Sequence, residues 1–224
     1  MPLARLHAVY NSLYEKSWLT TLNPALTTPV AFCDRPVSLI ASCRLTERHN
    51  VAALIDALMT LAGRGLKLHT TIVGDGSERK DLIQTVRNHD LPVEFVGQEY
   101  DRNVLRALYA QADIAVSPGA HGLNVVQGLS FGLPVIGPHN DRNSGPESEA
   151  LVHGHTGLTY DISSTNGLAD SIEVLAHDSN LRAKLGQQGY ELALERYTAE
   201  SHASKFDTIV HKVYCGHDEC VAES

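Results

Sequence analysis

The stretch SPGAHGLNVVQGLSFGLPVIG, Ser117 to Gly137, carries no charged side chain in a chain of 224 residues with formal net charge −8. Its chemistry must lie in its backbone. Gly119 and Gly122 precede an apolar helix expected to begin near Leu123. There, first-turn N–H groups lack intrahelical acceptors, and the positive end of the helix dipole favours an anion. Glycine lets a ligand approach such a backbone closely. The same glycines have a second possible use, tight packing of helix on strand with no ligand at all. His121 and His139 lie nearby, but with twelve histidines in the chain a single one marks no site.

The elements that must hold this loop follow from hydrophobic periodicity. The uncharged run extends from Ile114 to Asn140, long enough for a membrane span, yet eight of its residues are Gly or Pro. A spanning helix is rarely interrupted so often. The run therefore reads as a buried strand (Ile114–Val116), a glycine loop, an apolar helix and a second short strand (Pro134–Ile136). Upstream, VSLIAS reads as a strand, and NVAALIDALMTLAGRG as a helix with Val51, Leu54, Ile55, Leu58 and Leu61 on one face. The strand LHTTIV is closed by GDGSER, a turn in which Asp75 or Ser77 is expected to cap the helix RKDLIQTVRNH. VEFVG, the helix NVLRALYAQA, IAVS, the glycine unit and the strand GLTYD follow, and two or three polar helices run from about Leu168 to Val213. Glu147 and Glu149 in GPESEAL read as first-turn helix acids.

Strands separated by helices of this size imply right-handed βαβ units and a Rossmann-like parallel sheet with helices on both faces. Ligands in such sheets bind at the carboxyl ends of the strands, near a switch in strand order.

Composition narrows the function classes. A 43% apolar content supports a real core, and the acidic balance with no long Lys/Arg run argues against nucleic acid. The start MPLARLHAVYNSLYEKSW has no apolar core of signal-peptide length, so no secretion, no transmembrane segment and a cytoplasmic location are expected. Cys33 and Cys43 read as reduced, partly buried thiols. The tail HKVYCGHDEC gathers His211, Cys215, His217 and Cys220, a metal-like composition without the Cys-x-x-Cys spacing of common zinc sites. The plainer reading is a tail beyond the last helix, and no metal or cofactor is expected.

In order, VSLIASCRLTERHNVAALIDAL, TTIVGDGSERKDL, VEFVGQ, LYAQADIAVSPGAHGLNVVQGLSFGLPVIG and LVHGHTGLTYD resemble the C-terminal domain of retaining family 4 glycosyltransferases. The resemblance covers roughly Val37 to Tyr197, and AVYNSLYEK is similar to the segment after the N-terminal domain of such enzymes. It implies the C-terminal half of a GT-B fold followed by C-terminal helices. The expected organisation is a hinge or linker segment and first strand (1–36), a nucleotide-sugar-binding domain (37–213) and a tail (214–224).

The resemblance also assigns residues. The family's Gly-Arg, with a Lys five residues after the Arg, corresponds to Cys43-Arg44 and His49, which would hold the donor diphosphate. Arg44 could instead pair with Glu47 on the surface. Gly122, Leu123 and Asn124 would present backbone N–H groups to phosphate. The family's two glutamates eight positions apart fall on Gly119, at the sugar, and Gln127, at the ribose; both carboxylates are missing. A related branch is similar, with SPG followed by GL and a non-acidic second position.

The implied function is hexosyl transfer from a nucleotide diphosphate sugar with retention, the donor being a substrate rather than a cofactor. No catalytic nucleophile is assigned. The acceptor half would be an N-terminal domain, a separate chain or a second copy in a homodimer, and the isolated chain is expected to be inactive. The alternative is a non-catalytic nucleotide-binding or assembly module derived from the same domain; an epimerase or phosphorylase of GT-B type is a third reading.

Overall fold

The computed structural model describes residues 11–21, 35–139 and 141–215. Six parallel strands form one sheet: β1 (Val37–Ser42), β2 (Leu68–Val73), β3 (Val93–Gly97), β4 (Ile114–Val116), β5 (Val135–Pro138) and β6 (Gly157–Tyr160). Their spatial order is β3-β2-β1-β4-β5-β6. The chain thus winds outward one way from β1 and then returns to start the other half at β4. This is the order of a Rossmann-like sheet, and its switch point lies between β1 and β4.

The central strands β1, β4 and β5 bury apolar residues on both faces because both faces are covered. Leu39 and Ala41 of β1, with Ile114 and Val116 of β4, pack into one layer with α2 (Val51–Gly63), α3 (Arg79–Asn88) and α6 (Gly167–His177). Ile40 and Ala115, between them in sequence, pack into the opposite layer with α4 (Arg102–Ala110), α5 (Leu123–Ser130) and α7 (Ser179–Arg196). The alternation is the two-residue period of a strand. Val51, Leu54, Ile55, Leu58 and Leu61 are all buried, as the helical periodicity requires. Each such Leu or Ile stabilises the fold by about 1.5–3 kcal/mol relative to exposure.

α5 lies unusually close to the sheet. A Cβ at Gly128 would come within 2.9 Å of both Ala115 Cβ and Val135 Cγ2, so this glycine serves helix-on-strand packing. The turn after β2 differs from expectation in one detail. Asp75 Oδ1 accepts the N–H of Gly76 at 2.7 Å, and α3 begins after Glu78 with no side-chain cap. The short turn spends the carboxylate before the helix starts.

Within the expected hinge, residues 11–21 form α1 (Lys16–Thr20) and a single bridge from Tyr14 to Thr198, not a strand; residues 22–34 lie outside the described residues. Tyr14 stacks on Trp18 at 4.5 Å and meets Phe131 edge-on at 5.9 Å, which fixes the segment against the α5 layer. The last helix, α8 (Ala199–Cys215), is the third after β6, where two or three are expected. Of the tail cluster only His211 and the Cys215 backbone are described; His217 and Cys220 lie outside. Among the described residues, no helix is long and apolar enough to cross a membrane.

Candidate donor site at the strand switch

The loops leaving β1 and β4 meet at the switch point, because their strands pair directly. The first loop is pinned on both sides of Arg44. Cys43 N–H donates to Val73 O at 3.0 Å, Leu45 N–H donates to Asp75 O at 2.9 Å, and the Leu45 side chain is fully buried. Arg44 itself projects outward, and among the described residues it pairs with neither Glu47 nor any other acid. A guanidinium held on a rigid loop without a counter-charge is suited to bidentate contact with phosphate oxygens.

His49 closes the 3-10 turn Glu47–His49, with Nδ1 2.9 Å from Thr46 Oγ1. Burial, and then the neighbouring charges of Arg48 and Arg44, hold its pKa below the ordinary histidine value. The ring is therefore neutral at pH 7 in the free protein. The Thr46 contact engages Nδ1 and leaves Nε2 as the ring nitrogen that can meet a ligand, through a hydrogen bond rather than a charge.

The second loop is seated on the first. Ala120 N–H donates to Arg48 O at 3.0 Å, and a Cβ at Gly119 would fall 2.6 Å from His49 C and 2.7 Å from Arg48 O. Close approach of two backbones therefore requires glycine at 119, whatever else the position meets. His121 braces the loop from inside. Its Nδ1 lies 3.1 Å from Gly119 O, its N–H donates to Ser144 Oγ at 3.1 Å, and its carbonyl accepts from Gly145 N–H at 2.7 Å. Burial lowers the His121 pKa, opposed by the Gly119 carbonyl and the charge of Asp141, so this ring is a neutral internal strut.

The amides expected to meet phosphate are not equivalent. Gly122 N–H is already donated to Asn124 Oδ1 at 2.8 Å, and Asn124 Nδ2 donates in turn to Ser117 Oγ. The backbone N–H groups of Leu123 and Asn124 open α5 and have no acceptor among the described residues. Among the described residues the Gly119 amide is likewise without an acceptor, but only these two open the helix.

Gln127 lies one turn along α5 from Leu123, half-buried, and its Nε2 donates to Tyr14 Oη at 3.2 Å. Nε2 is thereby anchored and Oε1 is left as an acceptor for a ribose hydroxyl. Gln127→Ala is expected to weaken nucleotide binding by about 0.5–1.5 kcal/mol, whereas Gln127→Glu should preserve it, the carboxylate accepting from both Tyr14 and the hydroxyl. Calorimetry alongside melting temperature checks this. A large loss of stability with unchanged affinity would make Gln127 a packing amide only.

Four participants carried no local signal. Arg48 brings a further cation to the loop, its Nη2 donating to Asn143 O. Tyr14 and Asn11 arrive from the hinge segment, Asn11 Nδ2 donating to Glu147 Oε1 at 2.6 Å. Glu147 and Glu149 do occupy the first turn of a 3-10 helix (Pro146–Ala150), but Glu147 is buried, which no local pattern announces.

Comparison with known proteins identifies the family and the fold. The profile of the family described as Glycosyl transferases group 1 matches residues 31–192. The lipopolysaccharide core biosynthesis glycosyltransferase LpsE of Rhizobium meliloti (strain 1021) is 29% identical over 173 residues, covering 75% of this chain and 47% of that protein. The N-acetyl-alpha-D-glucosaminyl L-malate synthase of Bacillus anthracis is 28% identical over 214 residues, 95% of this chain and 55% of that one. The chain thus spans about half the length of the curated relatives it matches. Among solved structures, Anabaena HepE in complex with UDP and glucose superposes with a TM-score of 0.69 at 21% identity, covering 91% of this chain and 56% of that one.

Proposed function

The chain belongs to the glycosyl transferases of group 1, and from that premise we propose that it is the donor half of a hexosyltransferase that takes sugar from a nucleotide diphosphate sugar with retention. Its fold is that of the C-terminal domain of a GT-B glycosyltransferase. One observation supports the reading: the loop that carries Arg44, which pairs with no acid among the described residues, and the loop that opens α5, whose Leu123 and Asn124 amides have no acceptor there, leave paired strands at the sheet's switch point. As the glycosidic bond breaks, the departing diphosphate gains charge. Fixed donors aimed at its oxygens lower the barrier because they need no reorganisation at that moment. Arg44 and the amides of Leu123 and Asn124 are those donors, and His49 Nε2 adds a hydrogen bond. Gln127 Oε1 receives the ribose.

The matched domain would supply the donor side of a two-domain cleft, and the chain spans about half the length of its curated relatives. The acceptor half then comes from further sequence, another chain or a second copy, and without it the donor domain turns over no sugar because nothing closes the cleft or positions an acceptor. The cytoplasm is the setting that goes with this reading. The neutral His49 and the absence of carboxylates at Gly119 and Gln127 favour a second reading, a module that holds nucleotide without turnover. Both readings require nucleotide binding. In a thermal-shift panel of UDP, GDP and their sugars, a ligand at 100 times its Kd should add about 2.7 kcal/mol of stability. No shift with any of them at millimolar concentration would reject both.

A further inference from the structure

Glu147 is a buried acid that the donor contacts above leave unused. Its side chain folds back over the start of its own 3-10 turn and ends between two glycines of different loops. A Cβ at Gly122 would lie 3.2 Å from its Oε2, and one at Gly145 would lie 2.9 Å from the same atom. The bare glycines are what give this oxygen room. Oε1 is occupied, accepting the Asn11 amide at 2.6 Å, whereas Oε2 has no donor among the described residues. Only 6% of the residue is exposed, and what exposure remains reaches Oε2, which is therefore open to a donor from outside. A carboxylate oxygen held in so narrow an opening gains from a donor that replaces the few waters able to reach it.

We propose that Glu147 Oε2 is a sugar-recognition acceptor: it takes a hydrogen bond from a ring hydroxyl of the transferred hexosyl group, while Asn11 holds the carboxylate in place. The proposal rests on the donor-site reading. Charge decides which part of the donor it meets. A carboxylate oxygen accepts from hydroxyls and repels phosphate oxygens, so of the donor's parts the phosphates belong with Arg44. The hydroxyl-bearing sugar is the part that can answer Oε2. Glu147 is then a selectivity group that leaves the nucleotide's own contacts alone.

The test compares binding of nucleotide with binding of nucleotide sugar. Calorimetry on the 224-residue chain would use UDP, GDP, UDP-glucose, UDP-N-acetylglucosamine and GDP-mannose, with melting temperatures in parallel. Glu147→Gln keeps the shape and, with its oxygen still accepting from Asn11, puts an NH2 donor where Oε2 accepts. It should reduce affinity for the best nucleotide sugar roughly tenfold, the usual effect of losing one charge-assisted hydrogen bond, while changing affinity for the free nucleoside diphosphate by no more than about twofold. Gly145→Ala, whose new methyl displaces Oε2 but preserves the charge, should have the same selective effect and serves if Glu147→Gln fails to fold. Equal losses for nucleotide and nucleotide sugar would overturn the proposal and make Glu147 a brace of the loop, as would no loss for either; in both cases the donor site stands. If the wild-type chain binds none of the five probes, the donor site itself is wrong and the proposal falls with it.

Discussion

Arg44→Ala is expected to weaken binding of a nucleoside diphosphate by about 1.5–3 kcal/mol, roughly ten- to a hundredfold in Kd, because a charge-assisted bidentate contact is lost. The fold should be indifferent to the change. The Arg44 side chain is exposed and makes no ion pair among the described residues, and the loop is held by Cys43, by Leu45 and by the bonds between Asp75 and Leu45 and between Val73 and Cys43. Arg44→Lys should recover only part of the loss, since a point charge cannot make two parallel hydrogen bonds. Calorimetry at fixed ionic strength reads the effect. Unchanged affinity in Arg44→Ala, with nucleotide still bound, would move the diphosphate elsewhere on the molecule.

The second large effect is at Gly119. Introducing glutamate there restores an acid at the position that the family resemblance assigns to one, and on alignment alone Gly119→Glu would be expected to help binding. The packing predicts the reverse. Its Cβ alone would fall 2.6 Å from His49 C and 2.7 Å from Arg48 O, and both are backbone atoms that cannot swing aside. Forcing the two loops apart should cost about 1–3 kcal/mol of stability, by analogy with overpacked cores. It also breaks the Ala120 to Arg48 hydrogen bond that registers the glycine loop against the cationic one. Gly119→Glu should therefore melt earlier and bind nucleotide more weakly, and Gly119→Ala should do both to a lesser degree. A Gly119→Glu protein with unchanged melting temperature and tighter nucleotide-sugar binding would show that the loops have room to move.

What could be read from the sequence follows from what is local. The βαβ alternation, the buried stripe of α2 and the glycine unit from Ile114 to Pro138 are set by periods of two and 3.6 residues, and these elements form as their patterns require. The expected position of the site rests on the same kind of reasoning, because a parallel sheet places its ligands at strand ends. Contacts between distant segments could not be read this way. Asn11 and Glu147 are 136 residues apart and Tyr14 and Gln127 are 113 apart, so neither pair leaves a mark on its neighbours in sequence. Glu147 had the local pattern of a solvated first-turn acid, and only the approach of Gly122 and Gly145 buries it. The Gly122 amide was assigned to a ligand because nothing local shows that the Asn124 side chain turns back to claim it. Gly119 was read for a ligand and also serves packing, since a glycine in sequence does not say which atoms come close.

The most direct measurement is a backbone amide titration of the isotope-labelled chain by NMR with UDP and, separately, GDP. The donor-site reading predicts saturable shifts for one of the two nucleotides, largest at the Leu123 and Asn124 amides with smaller changes along Cys43–His49, with the midpoint of all of them moved roughly ten- to a hundredfold higher in Arg44→Ala. Saturable shifts centred on other strand ends with Leu123 and Asn124 unmoved, or no shift at millimolar nucleotide in a well-folded chain, would contradict it.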